Sequence, residues 1–222
     1  MEIEPIGFIE SPYQEKFGVP RQSGLVTEAE GVIRLVTPWD CSEAIRGMDA
    51  ISHLWVTFGF HLVPKDESQK PTARPPRLGG NERMGIFATR SPFRPNRLGL
   101  SLVNLLGHEP GRLQIGGVDM VDGTPVYDIK PYLPWTEAKP EAKAGFASEK
   151  PDSGWKVEVA IEVPSESLRT LILATLAHDP RPAFHGSDPD RVYGMKLDGH
   201  DVRWKVEESQ RIVKVIEIVS ER

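Results

Sequence analysis

Three arginines, Arg90, Arg94 and Arg97, stand at short intervals in the stretch TRSPFRPNRLGLS, Thr89 to Ser101. Pro92 and Pro95 fix their own φ and hold Ser91 and Arg94 extended, so this segment cannot coil into a helix and has little freedom left to lose. A guanidinium on a stiff loop is a fork of donors suited to phosphate or carboxylate. Upstream, KPTARPPRLGGNER adds Lys70, Arg74 and Arg77. From Lys65 to Arg97 eight basic residues stand against Asp66, Glu67 and Glu82, in a chain whose net charge is −5. Such an excess is either an electrostatic footprint for nucleic acid or a solubilising loop.

A second unusual run is GVDMVDGTPVYDIKPYLP, Gly117 to Pro134. Asp119 and Asp122 bracket a turn at Asp122-Gly123, and strand periodicity beyond it puts Asp128, Lys130 and Tyr132 on one face. Charges at alternate positions are costly if buried unpaired, so this face is solvated, lines a site, or pairs with a nearby arginine. The segment SPYQEKFGVPRQSGLV resembles the arginine loop in style. Its Pro20, Arg21 and Gln22 form another proline-stiffened polar stretch that either binds a planar ligand edge or covers the core.

Other chemistries find little support. No Gly-x-Gly-x-x-Gly follows a strand, and neither a phosphate-binding Walker loop nor a Gly-x-Ser-x-Gly elbow occurs. The six histidines never form a close pair with a nearby acid, so no metal site is expected. Cys41 is the only cysteine, which rules out an intrachain disulfide and reads as a small core residue. No run approaches the roughly 20 apolar residues of a membrane span. The start, MEIEPIGFIESPY, lacks the basic and apolar blocks of a secretory signal, so a cytoplasmic location is expected.

Short strands must position these residues. Gly and Pro number 20 each among 222 residues, which favours many turns over long helices. Strands are predicted at Gly31–Val36, over ISHLWVTFGFHLV, and at Met84–Thr89, Leu98–Leu106, Leu113–Val118 and Val126–Tyr132. A short helix is predicted in DCSEAIRG, where Asp40 and Glu43 have capping-box spacing. In ISHLWVTFGFHLV, Leu54, Val56, Phe58, Phe60 and Leu62 share a core face. His53, Trp55, Thr57, Gly59 and His61 share the other, which suits a lined cavity. Repeated strands without intervening helices point to a barrel or a sandwich. After the Ala/Lys/Glu/Pro-rich stretch Pro134–Trp155 the pattern changes. WKVEVAIEV reads as a strand, Ser165 caps a helix with Leu168, Leu171, Ile172 and Leu176 on one face, a hairpin turns at Asp198-Gly199, and RIVKVIEIV closes a small α+β unit.

In this order, IGFIESPYQEKFGVPRQ, SHLWVTFGFH, GIFATRSPFRPNRLGLS, VDGTPVYDIKPYLP and DPRPAF resemble the TsaA-like, or TrmO, family, over roughly Ile3 to Val219. The resemblance implies a mainly β protein: a single-sheet, antiparallel-rich β-barrel methyltransferase domain outside the Rossmann class at 1–140, a linker at 141–154, and a small α+β domain at 155–222. It implies S-adenosylmethionine (SAM) as cofactor. The acceptor would be N6 of threonylcarbamoyladenosine at tRNA position 37, in a cytoplasmic homodimer with no metal and no membrane. Carried over by motif, SAM would meet Pro20, Arg21, Gln22, His61, Leu62, Arg90, Leu100, Asp119, Met120, Val121 and Asp122. Asp128, Lys130, Tyr132 and Asn96 are the catalytic candidates beside them. Arg74, Arg77, Arg94 and Arg97 would face RNA. A non-catalytic RNA-binding module built on the same barrel and basic rim is the alternative.

Overall fold

The computed structural model describes residues 2–66, 70–75, 82–151, 153–181, 188 and 190–221. Eight strands come first: β1 (Gly7–Glu10), β2 (Glu30–Leu35), β3 (His53–Gly59), β4 (Thr72–Ala73), β5 (Met84–Gly85), β6 (Leu98–Glu109), β7 (Arg112–Gly116) and β8 (Pro125–Pro131). Six of them close into a barrel in the order β1-β2-β7-β6-β3-β8, with every pairing antiparallel, while β4 and β5 form a separate small ribbon. Closure leaves the six strands without a free edge. Ile9, Ile33, Leu54, Val56, Val103, Leu113, Ile115 and Val126 fill the interior. Each such side chain contributes about 1.5–3 kcal/mol through its burial.

The alternation in β6 runs opposite to hydrophobicity. Gly99, Ser101 and Val103 face inward, whereas Leu100 is 49% exposed. A Cβ at Gly99 would lie 2.3 Å from the Phe58 ring, so the glycine is the space into which that ring packs. In β8 a bulge opposite Thr57/Phe58 changes the parity of the strand. Val56 pairs with Ile129, Thr57 with Asp128, and Phe58 with Val126. Val126 and Ile129 point to the core, so both Tyr127 and Asp128 are left on the outer face.

Several predicted elements differ. ISHLWVTFGFHLV is strand only over His53–Gly59, and the turn after it leaves Leu62 42% exposed and not in the core, while WKVEVAIEV is strand only over Lys156–Val159. Met84–Thr89 is a two-residue strand followed by a 3-10 turn at Ile86–Ala88, because Thr89 folds back: its N–H and Oγ1 both donate to the Ile86 carbonyl, at 3.3 and 3.0 Å. Asp40–Gly47 forms successive turns, followed by a 3-10 turn at Met48–Ala50. The Asp40 carboxylate accepts from Thr37 Oγ1 at 3.0 Å, and the bonds that follow, Ala44 N to Cys41 O and Arg46 N to Glu43 O, span three residues and not four.

After a short helix α1 (Pro134–Glu137) and a 3-10 turn at Gly145–Ala147, the chain forms β9 (Lys156–Val159), helix α2 (Glu166–Leu176), β10 (Tyr193–Leu197), β11 (His200–Glu207) and β12 (Ile212–Ser220). The sheet order is β10-β11-β12-β9, with β9 parallel to β12. Ser165 Oγ accepts from Leu168 N at 3.1 Å, and Leu168, Leu171, Ile172 and Leu176 are buried. The β10–β11 hairpin turns at Asp198 (φ 49°) and Gly199 (φ 73°), both left-handed, as a primed two-residue turn requires. Of the DPRPAF motif, Asp179, Pro180 and Arg181 are described; Arg181 is buried, held by Asp179 at 2.7 and 2.8 Å and by Glu208 at 3.3 Å.

Residues 11–22 lie between these two parts. Ser11 N donates to Asp122 Oδ1 at 3.0 Å, and Asp122 N returns a bond to the Tyr13 carbonyl at 2.8 Å. Tyr13 bridges to Leu197 on β10, Asp198 N reaches the Pro12 carbonyl at 2.8 Å, and Tyr13 Oη meets Thr175 Oγ1 at 3.3 Å. Burial pushes the Tyr13 phenol up to about 12. Phe17 stacks on Trp204, with centroids 5.9 Å apart and planes within 3°. Gly18, at φ 93°, turns the chain where an added Cβ would lie 2.8 Å from Met195 Sδ. From this anchored base the chain enters Pro20-Arg21-Gln22.

Candidate active site

At one end of the barrel a cleft of about 590 Å³ is walled by Val19–Gln22, the end of β3 with the turn after it, the Thr89–Arg94 loop, the start of β6, and Asp119–Val121 with Thr124. The volume lies within the range usual for small-molecule sites. It brings together Pro20, Arg21, Gln22, His61, Leu62, Arg90, Leu100, Asp119, Met120 and Val121 from five separate segments. Asp122 stands at its border, tied to Ser11 as described.

Asp119 carries the main electrostatic signal. Its Oδ1 is fully enclosed without a hydrogen-bond partner, and burial pushes its carboxyl up to about 6 against the opposing influence of Ser101 and the Arg90 charge. An unpartnered buried carboxylate oxygen in a cleft needs a donor that the chain itself does not supply. Arg90 Nη2 donates to the Leu100 carbonyl at 3.3 Å, which leaves further guanidinium donors available. His61 follows the end of β3, with Nδ1 3.5 Å from Thr124 Oγ1; burial lowers its pKa, so the ring is neutral at pH 7.

The catalytic candidates lie elsewhere. Asp128, Lys130, Tyr132 and Asn96 are absent from the cleft wall. Asp128 Oδ2 pairs with Lys130 Nζ at 3.0 Å on the outer surface, and its Oδ1 accepts from Ile129 N at 3.0 Å. The register nevertheless brings it close: Leu100, Thr57 and Asp128 form one row across β6, β3 and β8, and the first two line the cleft. Tyr132 packs against Trp55 and His53, each at 6.2 Å, and Trp55 Nε1 donates to Glu137 Oε2 at 2.9 Å. The outer face of β3 is therefore covered by α1 at its start, and lines a cavity only from Thr57 onward.

The arginine loop is bonded to its surroundings. Arg94 Nη1 donates to the Thr89 carbonyl at 2.9 Å, and Arg97 Nη1 to the Val63 carbonyl at 3.2 Å. Arg97 itself sits at φ 52°. Each of these two guanidiniums ties its loop to a carbonyl through Nη1 and, like Arg90, keeps further donors. Arg74 is exposed, and Arg77 lies outside the described residues. Sequence reasoning missed Phe93, Ser101 and Thr124 in the cleft wall. Phe93 carried a signal, being flanked by Pro92 and Arg94 in the stiff loop; Ser101 and Thr124 carried none. Among the described residues no cluster of three or more His, Cys, Asp or Glu could hold a metal, and no helix is long and apolar enough to cross a membrane.

A closed antiparallel barrel with a loop-built cleft, a guanidinium fork and a carboxylate with one unpartnered oxygen defines a barrel outside the Rossmann class whose cleft has the size of a small-molecule site. Comparison with known proteins makes this specific. Residues 8–138 match the tRNA-methyltransferase O N-terminal domain, and residues 156–221 match the TrmO C-terminal domain. The chain belongs to the TrmO family. It is 46% identical over 219 residues to the tRNA (adenine(37)-N6)-methyltransferase of Escherichia coli, covering 92% of this chain and 93% of that protein. It is 42% identical to a putative S-adenosylmethionine-dependent methyltransferase of Pseudomonas aeruginosa, over 91% of each chain. The crystal structure of TrmO from Pseudomonas aeruginosa superposes with a TM-score of 0.82 at 35% identity, covering 99% of both chains.

Proposed function

We propose that this chain transfers a methyl group from SAM to N6 of threonylcarbamoyladenosine at position 37 of tRNA, giving N6-methyl-N6-threonylcarbamoyladenosine. The observation that carries this reading is the cleft itself: family membership is joined to an enclosed, unpartnered Asp119 oxygen facing a cationic fork at Arg90. SAM is a zwitterionic amino acid, a ribose and an adenine around a sulfonium, and the walls fit it. Arg90 and Arg21 suit its carboxylate, Asp119 and Asp122 its ammonium or hydroxyl donors, and Pro20, Leu62, Leu100, Met120 and Val121 its apolar faces. Gln22 offers an amide for the edge of a base. The neutral His61 ring adds no like charge beside the sulfonium. When bound, SAM supplies a methyl carbon activated as an electrophile.

The chain's own residues supply orientation and removal of a proton. N6 is acylated, so its lone pair is delocalised and the N6 proton must leave as the new bond forms. Asp128, one strand from the cleft in the Leu100–Thr57–Asp128 row, is the proposed base. Lys130, Tyr132 and Asn96 position the acceptor around it, and Arg74 with the Arg77 loop meets RNA, while Arg94 and Arg97 shape the bordering loop. Two sheets with separate strand sets support a methyltransferase domain at 1–140, a linker at 141–154 and a C-terminal domain at 155–222. Exposed Leu62 and Leu100 at the cleft mouth, with Phe87 at 82% exposure, support a homodimer, and a tRNA substrate supports a cytoplasmic place of work.

The test is nucleoside analysis of tRNA incubated with SAM and either the wild type or Asp128→Asn. A product heavier by one methylene, formed about 10²–10⁴-fold more slowly by the variant at unchanged SAM affinity, is expected. Equal turnover by the variant would remove Asp128 from the mechanism. Binding of tRNA without any product would favour the RNA-binding module.

A further inference from the structure

Beyond the Thr89–Phe93 wall of the cleft lies a larger groove of about 1050 Å³, which shares Arg21, Gln22, Thr89, Arg90, Pro92 and Phe93 with it. Its far sides are the β4–β5 ribbon and the interdomain connection Ala144–Pro151, brought alongside by the 3-10 turn at Gly145–Ala147. Lys70, Arg74, Arg83 and Lys150 line it and are all exposed, with Arg21 and Arg90 at the shared wall. Glu149 is the one acid among its described walls.

The cations of the C-terminal sheet are spent differently. Lys156, Lys196, Arg203 and Lys214 each hold a carboxylate within 3.0 Å. In a protein of net charge −5, a groove this cationic selects a polyanion. Half-buried Phe93 and Phe146 stand among those cations. Cationic walls interleaved with aromatic rings suit a single strand of nucleic acid, whose phosphates follow the charges and whose bases stack on the rings.

We propose that this groove holds the single-stranded RNA flanking the target adenosine, with phosphates on Lys70, Arg74, Arg83 and Lys150 and the target base passing Phe93 into the cofactor cleft. The proposal rests on the methyltransferase reading for the identity of the RNA. A base extruded from its stack must reach the methyl donor by a short path, and the shared wall is such a path. The connection between the two domains is then one side of the substrate channel, not merely a tether.

The experiment uses the full chain and the triple variant Lys70→Glu/Arg83→Glu/Lys150→Glu, none of whose residues lines the cofactor cleft. Binding of purified tRNA is measured across a salt series, SAM affinity by calorimetry, and methyl transfer in parallel; the glutamine triple controls for the introduced negative charge. We expect tRNA affinity to fall at least about tenfold and the salt slope to drop by about one per lost phosphate contact, with SAM affinity and melting temperature unchanged. The glutamine triple should lose the same slope with a smaller loss of affinity. Wild-type tRNA affinity and slope in both triples would overturn the groove while leaving the methyltransferase reading intact. So would a loss of SAM affinity equal to the loss of tRNA affinity. A wild type that bound tRNA through these residues yet transferred no methyl would uphold the groove and overturn the reaction.

Discussion

Asp119 carries a cost in the free protein, its carboxyl buried with one oxygen unpartnered. Burial raises its carboxyl from 3.8 to about 6, so the folded state binds the proton more tightly than the unfolded one. The stability associated with that proton is fully present below about pH 4 and is lost as pH rises through about 6, a change of at most about 2–3 kcal/mol. Asp119→Asn is therefore expected to melt above the wild type at pH 7.5 without SAM, with the gap closing toward pH 4, and to bind SAM more weakly. Identical pH-dependent melting of the two proteins would contradict this. SAM affinity of the wild type should also fall as pH drops below about 6, because Asp119 gains its proton. His61, whose pKa is lowered by burial, would add a positive charge to the cleft wall once protonated. Titration calorimetry at several pH values reads both effects. At this scale the sequence was legible for Arg90, Asp119 and the Pro20–Gln22 run, whose residue types announce polar chemistry. The carbonyl bonds of Arg94 to Thr89 and of Arg97 to Val63 were not legible, because a guanidinium that ties down a loop looks in sequence like one that faces a ligand.

Among the elements, the segment 11–22 has the widest consequence. It is bonded to the Asp122 turn, bridged to β10, stacked on Trp204 and delivered into the cleft. A contact in the C-terminal domain should then be felt at the cofactor. Phe17→Ala is expected to weaken SAM binding several-fold although Phe17 does not line the cleft, and unchanged calorimetric affinity would refute that link. Gly99→Ala should cost about 1–3 kcal/mol by driving a methyl into the Phe58 ring, read as a lower melting temperature. Strand periodicity made most barrel strands legible, along with the Ser165 cap and the Asp198-Gly199 hairpin. The inverted alternation of β6 was not legible, because only the facing Phe58 ring and the Asp119 carboxylate explain why Gly99 and Ser101 point inward while Leu100 faces out. The β8 bulge was hidden for a similar reason: it is a property of the pairing with β3, and it decides that Asp128 shares an outer row with Thr57.

For the whole molecule, the barrel and the four-stranded sheet are joined through one continuous set of buried side chains, with the barrel-end cleft and the cationic groove meeting at the Thr89–Phe93 loop. The proline-stiffened arginine loop is thus the partition between the cleft and the cationic groove. Arg90 is on the shared wall, while Arg94 and Arg97 hold the partition in shape. Such an arrangement is expected to give tRNA binding with a steep salt dependence and SAM binding with a shallow one, since only the former releases many counterions. Equal salt slopes for the two ligands would contradict it. The most direct test of the central claim is transfer of labelled methyl from SAM to two preparations of the same tRNA, one carrying threonylcarbamoyl on adenosine 37 and one not. The account predicts label on N6 of the modified nucleoside alone. Label on neither preparation, from folded protein that binds both SAM and tRNA, would contradict it.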